Sequence, residues 1–229
     1  MRYRTLLIDA DETLLDFPRS ERCALCEALE RAGVTPTPDL IEGYSRINLA
    51  TWKRLERGEI TKEALRTERF FEFCRHFGIE ADVPRMAADY LESLATQSFL
   101  LDGALEVCQA LAAHCELYII TNGIAAVQHG RLDRSPLRPC FKDVFISDEI
   151  GAEKPYPAFF EAVAARIPCF DPHATLVIGD SLTSDMAGGI GAGLDTCWLN
   201  PSGKEKPAHM PITYEIKSLR DVIPLVLNA

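Results

Sequence analysis

No apolar stretch in this chain approaches the ~18 residues that a membrane-spanning helix needs. Its longest late run, residues 222–227, is interrupted by Pro224. Basic charge is also short: 24 Lys and Arg against 34 Asp and Glu leave a formal charge of −10. A nucleic-acid polymer asks for a positive footprint and an anionic membrane surface repels an acidic chain, so neither is an expected partner. There is no internal repeat and no low-complexity tract, which excludes collagen-like and mainly disordered readings. No small-residue cleavage site follows Leu6-Leu7-Ile8, and a cytoplasmic location is expected. Cysteine is not scarce, but the eight are scattered, and reduced thiols are the better reading. Cys23 and Cys26 form one CxxC without the second pair or His pair of a zinc site, so buried helical packing is expected of them. The five histidines show no metal-ligand spacing. A P-loop and a GxSxG nucleophile elbow are both missing, which removes two large hydrolase classes. Gly188-Gly-Ile-Gly191-Ala-Gly193 has the wrong spacing and context for a dinucleotide loop.

What is present reads as alternating strands and helices. A strand is predicted over residues 4–9, delivering Asp9 to its C-terminal tip. From 17 to 96 the pattern is helical, with helices over 18–32, 39–55, 61–77 (capped by Thr61) and 83–96. In the third, Phe70, Phe71, Cys74 and Phe77 are read as a core stripe. Strands are then expected over 117–121, 143–147, 175–179 and 196–199, and helices over 104–113, 157–166 and through Met186 to about Ile190. Strands separated by helices argue a parallel sheet with right-handed crossovers. The expected fold is therefore α/β: a Rossmann-like parallel sheet flanked by helices, residues 1–16 and 97–229, with an α-helical domain, 17–96, inserted after the first strand.

Ligands of such a sheet bind beyond the carboxyl ends of its strands. Four strand ends carry polar groups there: Asp9 with Asp11, Thr121 with Asn122, Ser147 with Asp148, and Asp180; Lys154 follows soon after the third. Asp9, Asp11, Asp180 and Asp185 converging on one face would repel unless a cation joined them, and hard oxygen ligands suit Mg²⁺. A small phosphate is compatible with this acidity, because a bound cation reverses the local field. Each residue also has a plainer reading. Asp9 and Asp11 could cap a turn, Thr121 and Asn122 form one, and Asp185 complement a helix dipole. Trp52 is as readily core as a stacking surface, and Arg69 reads equally as a surface charge.

Asp9-Ala-Asp11-Glu-Thr13, Thr121-Asn122, Lys154-Pro155 and Gly179-Asp180-Ser-Leu-Thr-Ser-Asp185 occur in this order over nearly the whole chain. Together they resemble the four signature motifs of the haloacid dehalogenase-like (HAD) hydrolase superfamily, and the helical insertion resembles its C1-type cap. The resemblance implies Asp9 as nucleophile, forming an aspartyl-phosphate, and Asp11 as general acid and base. It implies phosphate binding by Thr121, Asn122 and Lys154. Metal binding falls to Asp9, the Asp11 carbonyl and Asp180, with Asp185 in support; the cofactor is Mg²⁺, with Mn²⁺ as a substitute. The metal-independent dehalogenases lack an acid two residues after the nucleophile, so Asp11 favours phosphate esters. Glu12 departs from the pattern, which commonly has Gly there.

The DxDET variant with Thr121-Asn122-Gly123 resembles the YjjG-type pyrimidine 5′-nucleotidases, as do Ile47-Asn48-x-x-x-Trp52, Gly58-Glu-Ile-Thr61, Arg69-Phe70 and Gln128-x-x-Arg131-Leu132. That implies a nucleoside 5′-monophosphatase with a preference for pyrimidines, with Asn48, Trp52 and Arg69 as candidate substrate contacts from the cap. The expected partner is a small phosphorylated metabolite, met by a monomer or homodimer. Sugar-phosphate or phosphoglycolate phosphatases and phosphomutases of the same fold remain alternatives. So does a non-enzymatic phosphate-binding module, although a pure binder has no use for Asp11.

Overall fold

The structure, a computed structural model, describes residues 2–228. In chain order its elements are β1 (Thr5–Ile8), α1 (Phe17–Arg31), α2 (Pro38–Glu56), α3 (Lys62–Phe77), α4 (Val83–Leu94), α5 (Ala104–Ala112), β2 (Glu116–Thr121), α6 (Ala125–Asp133), β3 (Phe141–Ile146), α7 (Ser147–Ile150), α8 (Pro157–Arg166), β4 (Thr175–Gly179), α9 (Ala187–Gly191), β5 (Asp195–Leu199), β6 (Tyr214–Ile216) and α10 (Val222–Leu227). The chain divides into two compact units, Met1–Asp16 with Ser98–Ala229, and Phe17–Gln97.

In the first unit six parallel strands form one sheet in the order β3-β2-β1-β4-β5-β6. The central strands β1, β2, β4 and β5 are short, largely apolar runs buried on both faces, as a helix-covered parallel sheet requires. The edge strands β3 and β6 expose Lys142, Asp143 and Glu215. Successive side chains alternate between two cores. Leu6, Ile8, Leu117, Ile119, Leu176 and Ile178 pack with Val107 and Leu111 of α5 and Val222 and Val226 of α10. Leu7, Tyr118, Ile120, Val177 and Trp198 pack with Phe159, Phe160 and Val163 of α8. The strand order reverses at β1, whose neighbours are β2 and β4, and that reversal opens a crevice at their carboxyl ends. Asp9, Thr121 and Asp180 sit at the ends of these three strands.

The second unit holds α1 to α4, with α1 against α4 and α2 against α3. Thr61 caps α3 as its sequence predicts, its hydroxyl accepting from the Ala64 amide at 3.2 Å. The core centres on Tyr44, whose ring lies 5.0 Å from Phe70, 5.5 Å from Phe73 and 5.4 Å from Tyr90, centroid to centroid.

Several expectations need correction. Phe71 does not belong to the core stripe of α3; it is exposed, and Phe73 is buried in its place. Positions 70, 73, 74 and 77 share a face at 3.6 residues per turn, and 71 is rotated off it. Cys23 and Cys26 are half-buried on α1, and all eight cysteines are free thiols. Residues 182–186 form a π-helical turn rather than α-helix, with the Met186 amide bonding back to the Ser181 carbonyl at 3.0 Å. β6, only three residues long, gave too short a pattern to read. Residues 222–227 are helical despite Pro224, which falls in the first turn, where its missing N–H has no partner to lose. None of the helices among the described residues is long and apolar enough to cross a membrane.

Candidate active site

Asp9 follows β1 directly and is held by its own amide, which donates to the Ile178 carbonyl of β4 at 2.9 Å. Its side chain is nearly buried. Oδ1 accepts from Lys154 Nζ at 2.6 Å, and Oδ2 meets the Thr13 hydroxyl at 3.4 Å. The same ammonium donates to Asp185 Oδ1 at 2.6 Å and to the Ile120 carbonyl at 2.9 Å. All three Lys154 protons therefore have acceptors in a site that excludes solvent. Burial pulls the Lys154 ammonium down, but Asp185 and Asp9 outweigh it and leave its pKa raised. The loop that carries Lys154 is clamped from β2. Asn122 Oδ1 accepts from the Lys154 amide at 2.9 Å, while its Nδ2 donates to the Lys154 carbonyl at 2.8 Å. The Asn122 side chain thus holds the Lys154 backbone from both sides; the Lys154–Pro155 bond is cis.

Asp185 is fully buried, and the π-helical turn aims it back at the sheet, where Oδ2 accepts from the Ser181 amide at 3.1 Å. A Cβ at Gly179 would lie 2.3 Å from that Oδ2, so only glycine lets β4 pass this close. The loop after β4 is fixed by Trp198, whose indole N–H donates to the Asp180 carbonyl at 2.9 Å. One oxygen from each of Asp9, Asp180 and Asp185 lies within 4.8 Å of the others. Burial, with the Lys154 charge opposing it and Asp185 and Asp180 adding to it, raises the Asp9 carboxyl well above the ordinary range. Burial and the charges of Asp185 and Glu12 push Asp180 up to about 7. Three desolvated carboxylates around one ammonium leave negative charge in excess, and such a donor set fits a hard divalent cation.

Asp11 does not join this cluster through its carboxylate. Its Oδ1 is hydrogen-bonded and ion-paired to Arg131 Nη1, and its Oδ2 accepts from Gln128 Nε2 at 2.7 Å. The expected set of four converging carboxylates is therefore three, because a buried guanidinium and amide hold the fourth. Gln128 Nε2 also donates to Thr121 Oγ1 at 2.9 Å. Gln128 and Arg131 lie one turn apart on α6 and are buried. In the sequence they stood only within a pattern of resemblance, without a role; their i, i+3 spacing places both side chains on one helix face. Asp148 accepts from the Ala125 amide at 2.9 Å and so caps α6. Glu12 has φ of 60°, the left-handed region that favours glycine, which accounts for the commoner Gly at this position.

The helical unit holds a second buried network. Glu21 accepts from Ser45 and from Asn48 Nδ2, the latter at 2.6 Å, and Arg69 Nη1 donates to Asn48 Oδ1 at 2.7 Å. Asn48 and Arg69 are 2% and 1% exposed, so the surface reading of Arg69 is corrected. Its guanidinium lies 5.4 Å from the Phe70 ring and 5.1 Å from that of Tyr90. Trp52 is half-buried on α2. Glu21 carried no signal in the sequence, where it read as one acid among several on an amphipathic helix.

The parallel α/β sheet thus carries an aspartate–lysine cluster at its topological switch point, where sheets of this kind bind their ligands. Residues 3–193 match the haloacid dehalogenase-like hydrolase family, and the chain belongs to it. It is 41% identical over 224 residues to the pyrimidine 5′-nucleotidase PynA of Streptococcus pneumoniae, covering 97% of this chain and 94% of that one. To the pyrimidine 5′-nucleotidase YjjG of Escherichia coli it is 31% identical over 226 residues, covering 99% of each. Its structure is similar, with a TM-score of 0.93 and 40% identity over 99% of both chains, to the crystal structure of the Bacillus subtilis protein YfnB bound to magnesium, to which a HAD-hydrolase role is ascribed.

Proposed function

We propose that the protein is a phosphomonoester hydrolase working through an aspartyl-phosphate, with nucleoside 5′-monophosphates as substrates and a preference for pyrimidine bases. The observation that carries the chemistry is Asp9, held on Oδ1 by Lys154 beside Asp180 and Asp185, with a second acid at Asp11. The pyrimidine preference is supported by the activity named for PynA and YjjG. The reading takes 17–96 as a C1-type cap on a catalytic core and sets the enzyme in the cytoplasm, which suits eight free thiols.

Asp9, Asp180 and Asp185 would hold the cation, for which the magnesium of the similar structure makes Mg²⁺ the first choice. When bound, it supplies positive charge to the phosphoryl oxygens. Lys154 occupies Oδ1 of Asp9 and leaves Oδ2 the freer oxygen for attack on phosphorus. The new Asp9–phosphorus bond forms as the ester bond breaks, and the Asp11 carboxyl gives its proton to the departing oxygen. Asp11 then takes a proton from the water that attacks the aspartyl-phosphate, which releases phosphate and restores both residues. The Thr121 hydroxyl and Lys154 steady the transferring group. The test is a panel of monophosphates scored by kcat/KM with Mg²⁺ and with EDTA. UMP and dTMP are expected to exceed sugar phosphates and phosphoglycolate; no preference among them overturns the nucleotidase reading.

A further inference from the structure

The reaction proposed above depends on where the Asp11 carboxyl points, and two residues outside the motifs hold it. We infer that Gln128 and Arg131 are positioning residues that fix the Asp11 carboxyl for proton transfer to the leaving oxygen, an inference that rests on Asp11 being the acid. Each grips a different oxygen: Arg131 Nη1 takes Oδ1, and Gln128 Nε2 takes Oδ2 at 2.7 Å. Bonds to both oxygens stop rotation about the terminal torsion, which is otherwise broad for an aspartate. They leave each oxygen a further lone pair.

Gln128 does more than pair with Asp11. The same amide nitrogen reaches Thr121 Oγ1 at 2.9 Å, and its Oε1 accepts from Arg131 at 3.4 Å. One buried side chain thus registers the acid against the residue expected at the phosphate. The backbone makes room for it: a Cβ on Gly123 would lie 2.3 Å from Gln128 Nε2 and 2.7 Å from its Cγ. A misplacement of about 1 Å at a reacting group is enough to cost ~10²-fold in rate.

The test compares two substrates. The alkoxide of dTMP needs a proton as it leaves, whereas p-nitrophenolate leaves without one, and kcat/KM reports steps only through departure of the alcohol. Gln128→Ala is expected to lower kcat/KM for both substrates through Thr121, and for dTMP by about a further 10-fold, since a positioned acid contributes ~10²–10⁴-fold. Arg131→Met is expected to give the same split; if circular dichroism finds it unfolded, the neutral Gln128→Ala carries the test. Equal losses on both substrates, or none, in Gln128→Ala overturn the inference. Asp11→Asn should show the split in larger measure. If it shows none, Asp11 is not the acid and the proposed mechanism fails with it; if Asp11→Asn splits and Gln128→Ala does not, only the positioning role falls.

Discussion

The two units each bury a network of ionised side chains, and the two networks differ in charge balance. In the α/β unit Asp9, Asp180 and Asp185 cluster around one cation, Lys154, which pairs with Asp9 and Asp185. In the helical unit Glu21 and Arg69, one acid and one base, are joined through the neutral amide of Asn48. A buried charge without its partner costs several kcal/mol. The second network balances in charge, although Nε and Nη2 of Arg69 are buried without a hydrogen-bond partner, and its guanidinium lies against the Phe70 and Tyr90 rings. The first is left with an excess of negative charge at the open ends of the strands. A fold that tolerates this imbalance does so where a cation and an anionic substrate complete the site, and a fold that removes it is holding helices together.

Breaking the first network should therefore cost activity before stability. Asp9→Asn is expected to lower kcat at least about 10⁴-fold, the scale seen when a nucleophile is removed. Its Tm without metal should be unchanged or higher, because one of three repelling charges is gone. Activity surviving in this variant with Mg²⁺ would contradict the nucleophile assignment. Lys154→Met should cost both. It strips the Asp9 and Asp185 carboxylates of their shared donor, a change worth about 3–5 kcal/mol when a buried pair is broken. Added Mg²⁺ should restore part of the lost Tm but not the rate. Urea titration with and without Mg²⁺ separates the two, and full stability without metal would show that Lys154 does not hold the cluster.

How far the sequence reached follows the same division. Strands β1, β2 and β4 and the residues at their tips were readable, because an apolar run ending in Asp or Thr signals a buried parallel strand and its active end. Lys154 was readable from its place after a strand and before Pro155, while its grip on Asp9 and Asp185 was legible only as what the family resemblance implies. The partners of Asp11 lie 117 and 120 positions away, and no local pattern records a contact across that distance. The preference for Gly at position 12 became intelligible only with its φ of 60°. In the helical unit the elements were legible from caps and glycines, but the Glu21–Asn48–Arg69 link was not, since an acid, an amide and a base on three amphipathic helices read singly as surface.

The helical network should respond in the opposite sense. Arg69→Met removes the donor to Asn48 and the cation over two rings, and is expected to cost about 2–4 kcal/mol of stability. Its kcat on p-nitrophenyl phosphate, a substrate without a base, should stay within about threefold. A large loss of kcat with Tm intact would move Arg69 from scaffold to substrate site and erase the contrast between the units.

The smallest effect separates the two networks by pH. Asp180 titrates near 7 in the folded chain against an ordinary 3.8, chiefly through burial and then through Asp185 and Glu12. An acid whose pKa is raised on folding holds its proton more tightly in the native state. Its contribution to stability is therefore fully present below about pH 4 and is lost as the pH climbs through 7. Without metal, Tm should fall between pH 5 and pH 8. Mg²⁺ binds the deprotonated form, so it should raise Tm more at pH 8 than at pH 5; a difference of ~1 kcal/mol corresponds to roughly 2–4 °C for a chain of this size. Glu21 is also raised by burial, against the pull of Ser45 and Asn48, but no second carboxylate in its network joins it in holding a cation. Glu21→Gln should leave the pH dependence of the Mg²⁺ effect intact, while Asp180→Asn should weaken it, the raised Asp9 carboxyl keeping the remainder. An equal Mg²⁺ shift at both pH values, or one abolished by Glu21→Gln, would mean that the charge imbalance in the α/β unit is not what the cation answers.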